Sequence, residues 1–329
     1  MKLGTLVPRG SQIILSDGQF IARIILIKIK RYVIINPIMI KEFIIAMRPK
    51  QCIKNLIVFA AIIFAQKLGD TDAILKTIFA FICFCIISGC GYVFNDILDR
   101  EGDKSHPVKK NRPIAAGRLK ILPALSLSIG LIIITFVSSF LLKCQFGFVL
   151  SGYFLLTTCY SLSLKNIVIL DVLALSVGFV LRVIGGAVII PVVISPWLVG
   201  CTMLLALFIS LGKRRHELVL LESGASFHRP ILKEYTPAFI DEMIAAVTGS
   251  VLIAYSFYAF SPEVQKKLDA PYLPFTILFV LYGIFRYLYL VHQKNVGGSP
   301  ELDIIKDKPL LLNIILWIIT IIIIIYWKI

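Results

Sequence analysis

Long apolar stretches, separated by short polar connections, recur along most of the chain. An α-helix needs about 20 apolar residues to cross the hydrocarbon core of a bilayer, with a range of roughly 17 to 25. Stretches of suitable length lie at 53–69, 73–97, 119–142, 145–164, 167–190, 196–212, 238–260, 272–292 and 309–328. This pattern predicts an all-α, polytopic membrane protein with about nine transmembrane helices.

The first 50 residues are predicted to lie outside the spanning part of the chain. Residues 6–11 read LVPRGS, a thrombin-cleavable linker, so we set residues 1–12 apart from the fold. Residues 13–50 alternate short apolar pieces with basic residues, which predicts an amphipathic segment at the membrane interface. Residues 51–329 then form the predicted nine-helix domain, which carries the candidate catalytic residues.

Composition and charge agree with a membrane protein. The 329 residues are 58% hydrophobic and only 16% charged, which excludes an ordinary soluble domain. The net charge of +15 does not indicate nucleic-acid binding, because Lys and Arg concentrate in alternate connections, as in the positive-inside arrangement. This bias predicts an inner or plasma membrane protein whose polar motifs all lie at the cytoplasmic ends of the spans. We therefore expect them to converge on one polar cavity that faces the cytoplasm.

The stretch NDILDREGDKSHPVKKNRPIAAG, residues 95–117, joins clustered carboxylates to a run of cations. On a helix its three aspartates lie within about 60° of one another, and such close like charges need a cation. Oxygen ligands favour Mg²⁺, which usually also carries substrate phosphates. We predict that the aspartates are catalytic and that Mg²⁺ is held by Asn95, Asp96, Asp99 and Asp103. A solvated positive-inside loop is the alternative.

Further charged and polar residues near the same ends of the spans are candidates for binding an anionic substrate. They are Lys50, Lys54, Asn95, Lys110, Arg112, Tyr160, Lys165, Asp171, Arg182, Lys213, Arg214, Arg215 and Glu217. Membrane anchoring explains Lys50 and Lys54 almost as well, and a stop-transfer signal explains the basic cluster 213–215. Asp171 and Arg182 lie within an apolar stretch, where charges are costly, so either a mutual structural pair or a functional role fits them.

NDILDREGD, residues 95–103, resembles the NDxxDxxxD signature of UbiA-type intramembrane prenyltransferases, and the resemblance covers nearly the whole chain after Met47. Members are nine-helix enzymes that act on polyprenyl substrates with Mg²⁺. Most carry a second aspartate motif after the sixth helix, where this chain has GKRRHEL, residues 212–218. That departure resembles the decaprenyl-phosphate phosphoribosyltransferase branch, as do RPKQCIKN, HPVKKNRPIAAG, YSLSLK and GFVLR in the same order.

The resemblance implies a Mg²⁺-dependent transfer of 5-phosphoribosyl from phosphoribosyl pyrophosphate to a polyprenyl, decaprenyl-like phosphate, with release of pyrophosphate. It also suggests a role in cell-wall biosynthesis. One alternative is a UbiA-type prenyltransferase with a polyprenyl diphosphate donor and an aromatic or other acceptor. Another is a non-enzymatic transporter of phosphorylated lipid or sugar, which internal repeats would favour, although no clear repeat relates the two halves.

Overall fold

The computed structural model describes residues 37–105, 108–222, 230–294, 296–298 and 300–327. Within these ranges the chain is built from helices and connections and has no strand. The linker 1–12 and residues 13–36 of the predicted interfacial segment lie outside the described residues. The predicted division of the chain at residues 12 and 50 therefore stays a prediction.

The described chain folds into α-helices joined by turns and by short 3-10 helices. The α-helices are α1 Pro37–Ala46, α2 Ala60–Phe64, α3 Thr71–Leu98, α4 Arg100–Ser105, α5 Ile121–Leu142, α6 Cys144–Leu162, α7 Leu170–Ile189, α8 Pro196–Glu222, α9 Pro237–Phe260, α10 Pro262–Leu268, α11 Ile277–Gln293, α12 Pro300–Lys306 and α13 Lys308–Tyr326. The 3-10 helices are Pro49–Phe59, Lys109–Asn111, Leu164–Asn166, Pro230–Glu234 and Leu273–Thr276.

Several long helices begin where the sequence supplies a cap. The side chain of Asp70 accepts a hydrogen bond from the Ala73 amide at 3.1 Å, which satisfies a free N–H at the start of α3. Asp307 caps α13 in the same way at 2.9 Å, and Pro309 occupies the first turn of that helix, where its missing N–H costs nothing. These local signals explain why the observed starts lie close to the predicted ones.

Seven spans of the described chain are long and apolar enough to cross a membrane: α3, α5, α7, α8, α9, α13, and α11 together with its preceding 3-10 turn. They correspond to seven of the nine predicted stretches, so the multi-pass membrane fold is confirmed and the count of nine is not. The stretch 145–164 forms α6, whose 19 residues include several polar side chains. The stretch 53–69 forms no single long helix, because it divides into the 3-10 helix Pro49–Phe59 and the short α2.

Helix α7 lies at the centre of the bundle, where it packs against α3, α6, α8 and the 3-10 helix Pro49–Phe59. A glycine permits the last of these contacts. A Cβ atom at Gly186 would lie 2.2 Å from the carbonyl oxygen of Val58, so no larger residue fits without displacing the backbone. Separate apolar clusters, one around Phe84 and Phe146 and one around Phe208, form the cores of the two halves of the chain.

Candidate active site

A cavity of about 1830 Å³ opens between the helices and is lined by both halves of the chain. One part of its wall carries charged side chains from the ends of α3 and α8 and from the connection after α6. The rest is mainly apolar, with Trp197, Leu205, Ile314 and Ile318 among the lining residues. A cavity of this kind suits an amphipathic ligand with a charged head and an apolar body.

The aspartates of the first motif lie where α3 gives way to α4. Helix α3 ends at Leu98, Asp99 caps it, and the Asp103 amide donates to the Asp99 carbonyl at 2.8 Å. The side chains of Asp96 and Asp103 are only 2% and 4% exposed, whereas that of Asp99 is 39% exposed. Asp99 is therefore the most accessible of the three; Asp99 and Asp103 line the cavity, whereas Asp96 lies behind its wall.

Basic side chains neutralise all three aspartates. The Arg112 Nη1 donates to Asp96 at 3.0 Å and to Asp103 at 2.6 Å. Lys165 Nζ lies 3.0 Å from the Asp99 carboxylate, which also accepts a hydrogen bond from Asn95 Nδ2 at 2.9 Å. Each contact joins residues that the sequence had marked as candidates.

Arg48 belongs to the same cluster and is not among the predicted site residues. Its guanidinium donates to Asp96 and lies over the Tyr92 ring, 4.9 Å from the ring centroid. Its backbone adopts the left-handed conformation, with φ of 56°, immediately before Pro49. The motif RPKQCIKN contained the signal, but the sequence alone favoured Lys50 and Lys54 because they flank the start of a predicted span.

The aspartates of the predicted Mg²⁺ site already contact basic side chains. Within the described ranges, no group of three or more His, Cys, Asp or Glu side chains is arranged to hold a metal ion. The physical reason is that cations already engage the carboxylates. However, Asp96 Oδ2 is buried without a hydrogen-bond partner, and Asp99 faces the cavity. The donors are all oxygen atoms, so their chemistry fits a hard divalent cation.

Arg214, near the end of α8, is the centre of a second network. Its Nε lies 2.5 Å from Asp171 Oδ2, it donates to Glu217, and its Nη2 lies 3.2 Å from the Tyr160 hydroxyl. Arg214 and Asp171 are almost completely buried, yet Arg214, Glu217 and Tyr160 also line the cavity. Four of the predicted site residues therefore belong to one network, with Asp171 behind the cavity wall.

Tyr235 completes this network and was not foreseen. Its hydroxyl donates to Asp171 Oδ1 at 2.8 Å and accepts a hydrogen bond from the Ile169 amide at 2.6 Å. Burial, and after it the hydrogen bonding with Asp171, raises the pKa of Tyr235 to about 12. The phenol therefore stays protonated at neutral pH and remains able to donate to the carboxylate. The tyrosine lies in a short connection that carried no sequence signal.

The structure does not bring every predicted residue to the cavity. Arg215 points away from it and binds Asp241 of α9 at 2.6 Å, because successive residues of a helix are rotated by about 100°. Lys50 and Lys110 are exposed and do not line the cavity. Lys54 and Lys213 do line it.

A structural Asp171–Arg182 pair, one of the two alternatives that the sequence left open, does not form. Asp171 binds Arg214, whereas Arg182 donates to Asn55 Oδ1 at 2.6 Å and to the Tyr153 hydroxyl at 2.7 Å. Arg182 follows Asp171 by eleven positions, which places the two residues about 16 Å apart along α7 at a rise of 1.5 Å per residue, too far for a direct contact.

A family model described as the UbiA prenyltransferase family matches residues 55–300. The chain belongs to the UbiA prenyltransferase family. It is 32% identical over 286 residues to the decaprenyl-phosphate phosphoribosyltransferase of Mycolicibacterium smegmatis, covering 84% of this chain and 90% of that protein. It is 29% identical to the enzyme of the same name from Corynebacterium glutamicum, covering 85% and 86% of the two chains.

Solved structures confirm the UbiA fold. A UbiA homologue from Archaeoglobus fulgidus, bound to DMAPP and Mg²⁺, superimposes with a TM-score of 0.66 at 15% identity. The match covers 86% of this chain and 99% of the archaeal one. The chain is therefore a multi-pass membrane protein of the UbiA fold, and the predicted superfamily and fold class are confirmed.

Proposed function

We propose that this membrane transferase moves the 5-phosphoribosyl group of phosphoribosyl pyrophosphate onto a polyprenyl phosphate such as decaprenyl phosphate, with release of pyrophosphate. The two relatives described above are named for that reaction, and the similarity covers most of their length. The polyprenyl phosphate would enter from the membrane, and its chain would follow the apolar part of the cavity. We place the site on the cytoplasmic side of the inner or plasma membrane, in line with the charge bias of the connections.

The observation that carries the proposal is the chemistry at the end of α8. Conventional family members, as the resemblance implies, hold a second aspartate motif there for a prenyl diphosphate. In this chain Lys213, Arg214 and Glu217 line the cavity at that place. Cations bind phosphate directly, and Arg does so with two parallel hydrogen bonds. With cations in place of the aspartate motif, this end of the cavity favours direct binding of substrate phosphate groups. It lacks the motif that would bind a prenyl diphosphate through a second metal.

The reaction needs no general base from the protein. The bond between C1 of the ribosyl group and the pyrophosphate oxygen breaks, and the pyrophosphate leaves with the bonding electrons. An oxygen of the lipid phosphate, already anionic, forms the new bond to C1. Lys165 and Arg112 supply positive charge beside the leaving group, and positioning of the two substrates provides much of the remaining rate enhancement.

The proposed cofactor is Mg²⁺, which when bound would neutralise charge on the pyrophosphate. Asn95, Asp96, Asp99 and Asp103 would hold it. The cations that contact these aspartates, Arg48, Arg112 and Lys165, would then be available to phosphate oxygens.

The decisive experiment uses purified protein in lipid nanodiscs, a polyprenyl phosphate and radiolabelled phosphoribosyl pyrophosphate. We expect label in the lipid extract, and EDTA should abolish it. Asp99→Asn should reduce turnover by about 100-fold or more, as removal of an electrostatic stabiliser usually does. Asp72→Asn, at an exposed carboxylate paired with Lys76 outside the cavity, is the matched control and should retain activity.

Two results would contradict the proposal in different ways. No label in lipid, together with product from a polyprenyl diphosphate and an aromatic acceptor, would establish the conventional prenyltransferase instead. Wild-type turnover in Asp99→Asn would leave the reaction intact but remove the role assigned to the aspartate.

A further inference from the structure

Arg182 of α7 is a buried cation in the wall of the cavity. It is only 6% exposed, and it lines the cavity beside Gly178 and Phe179. Its three hydrogen bonds go to Asn55 Oδ1, to the Tyr153 hydroxyl and, at 2.8 Å, to the Gly178 carbonyl. All three acceptors are neutral groups.

The other arginines of the cavity wall have a different environment. Arg48 and Arg112 contact Asp96, and Arg214 contacts Asp171. Among the described residues, no carboxylate lies within ion-pair distance of Arg182. A buried charge in a membrane protein is costly unless it is paired, so a guanidinium that has neutral acceptors and no carboxylate partner indicates an anionic ligand.

The local geometry leaves the guanidinium able to bind one. A guanidinium has five N–H groups, and three of those of Arg182 are used in the bonds above. One N–H on each terminal nitrogen thus makes no hydrogen bond to a described residue. The Tyr153 and Phe179 rings lie 4.6 Å and 5.1 Å from the guanidinium carbon, which restricts its orientation. Two charged donors on an oriented guanidinium suit hydrogen bonding to phosphate oxygens.

The depth of Arg182 separates it from the proposed pyrophosphate site. Asn55, which accepts from Arg182, donates to Ser88 Oγ at 3.3 Å. Ser88 lies eight residues before Asp96 on α3, which corresponds to about 12 Å along the helix axis at 1.5 Å per residue. The group formed by Arg182, Asn55 and Ser88 therefore lies about two turns of α3 away from the level of Asp96.

We propose that Arg182 forms a phosphate-monoester subsite in the interior of the cavity, distinct from the site of the pyrophosphate. The inference rests on the proposed function for the identity of the ligand. Both substrates of that reaction carry a phosphate monoester, the donor at C5 of its ribose and the acceptor at the end of its lipid chain. Separate binding measurements with a sugar phosphate and with a lipid phosphate distinguish the donor from the acceptor.

The test measures ligand-induced thermal stabilisation of the detergent-solubilised full chain. The ligands are ribose 5-phosphate, farnesyl phosphate and pyrophosphate. In Arg182→Gln we expect the affinity for one monoester to fall by roughly 10- to 100-fold, as expected for losing a charge-assisted hydrogen bond, with pyrophosphate affinity unchanged. The monoester whose affinity falls identifies the source, and its parent substrate should show the matching rise in KM. Arg286→Gln is the matched control, because Arg286 pairs with Asp307 outside the cavity.

Two measurements keep the inference testable if Arg182→Gln does not fold. Arg182→Lys keeps the charge but loses the planar guanidinium and its several N–H donors, so it should retain weakened monoester binding. In the wild-type protein, the affected monoester and pyrophosphate should stabilise additively, because they occupy different subsites. Wild-type affinity for both monoesters in a folded Arg182 variant, or mutual exclusion of pyrophosphate and each monoester, would overturn the subsite. Binding can be measured without turnover. If the wild-type protein does not transfer phosphoribosyl but Arg182→Gln lowers its monoester affinity, the proposed function is refuted and the subsite is not.

Discussion

Asp171 offers the sharpest test of how the cavity wall is held together. It is fully buried on α7, lies 2.5 Å from Arg214 of α8, and accepts a hydrogen bond from Tyr235. The substitution Asp171→Asn keeps the size of the side chain and removes its charge. Because Asp171 does not line the cavity, the change alters the support of Arg214 without removing a group that faces substrate.

The expected magnitude follows from what Arg214 retains. Removing one partner of a buried ion pair typically costs about 3–5 kcal/mol, because the remaining charge is left uncompensated. Arg214 still contacts Glu217, whose side chain is 16% exposed, so we expect a value at the lower end, about 3 kcal/mol. A loss of this size corresponds to a change of roughly 100-fold in the unfolding equilibrium.

The free energy of unfolding is measured by denaturant titration in mixed micelles, with tryptophan fluorescence as the signal. Asp72→Asn is again the matched control, because its carboxylate is 71% exposed and its pair with Lys76 contributes less than about 1 kcal/mol. Activity is measured in parallel. We expect Asp171→Asn to lower kcat in the fraction that remains folded, since Arg214 loses the contact that fixes its orientation.

A loss of stability no larger than that of Asp72→Asn would refute the reasoning. It would mean that the Asp171–Arg214 contact contributes no more than an exposed ion pair. A large loss of stability with unchanged kcat in the folded fraction would support the contribution of the ion pair to stability. It would contradict the proposed link between that pair and activity.

The remaining predictions concern packing and charge. Gly186→Ala should destabilise the fold by about 3 kcal/mol or more in the same titration, because its Cβ would overlap the Val58 carbonyl, whereas Gly130→Ala, with no atom within 4 Å, should not destabilise it. An equal effect of the two substitutions would contradict the close approach. Lys165→Gln should raise the KM for the phosphoribosyl donor and change stability by less than about 1 kcal/mol, because its partner Asp99 is 39% exposed. An unchanged kcat/KM would exclude Lys165 from the site.

Much of the fold could be predicted from the sequence, because the length and apolarity of a span are local properties. Eight of the nine predicted stretches each contain one long helix for that reason, and seven of these are long and apolar enough to cross a membrane. The exception near residues 53–69 depends on tertiary structure. Asn55 is buried there through its bond with Arg182 of α7, and Gly186 lets the same segment approach α7 closely. Neither contact is visible in the hydropathy of the segment.

The site could be predicted less completely than the fold. The motifs indicated which regions meet at the cavity, because they lie at span ends that the charge bias predicts to share one side of the membrane. They did not indicate which charges pair, since that depends on the rotation of each helix. Arg214 and Arg215 are adjacent in sequence, yet one faces the cavity and the other binds Asp241 of α9. Tyr235 lies in a connection that no motif marked.

The pairing of charges explains how so polar a cavity exists inside an apolar bundle. The cost of burying an ion falls when an opposite charge and further hydrogen bonds accompany it. Asp96 forms ion pairs with two arginines, and Arg214 forms ion pairs with both Asp171 and Glu217. These pairs place opposite charges side by side in the wall. Arg182 departs from this pattern, because its hydrogen-bond acceptors are all neutral and no carboxylate of the described residues pairs with it, so a bound anion would offset the cost of its burial.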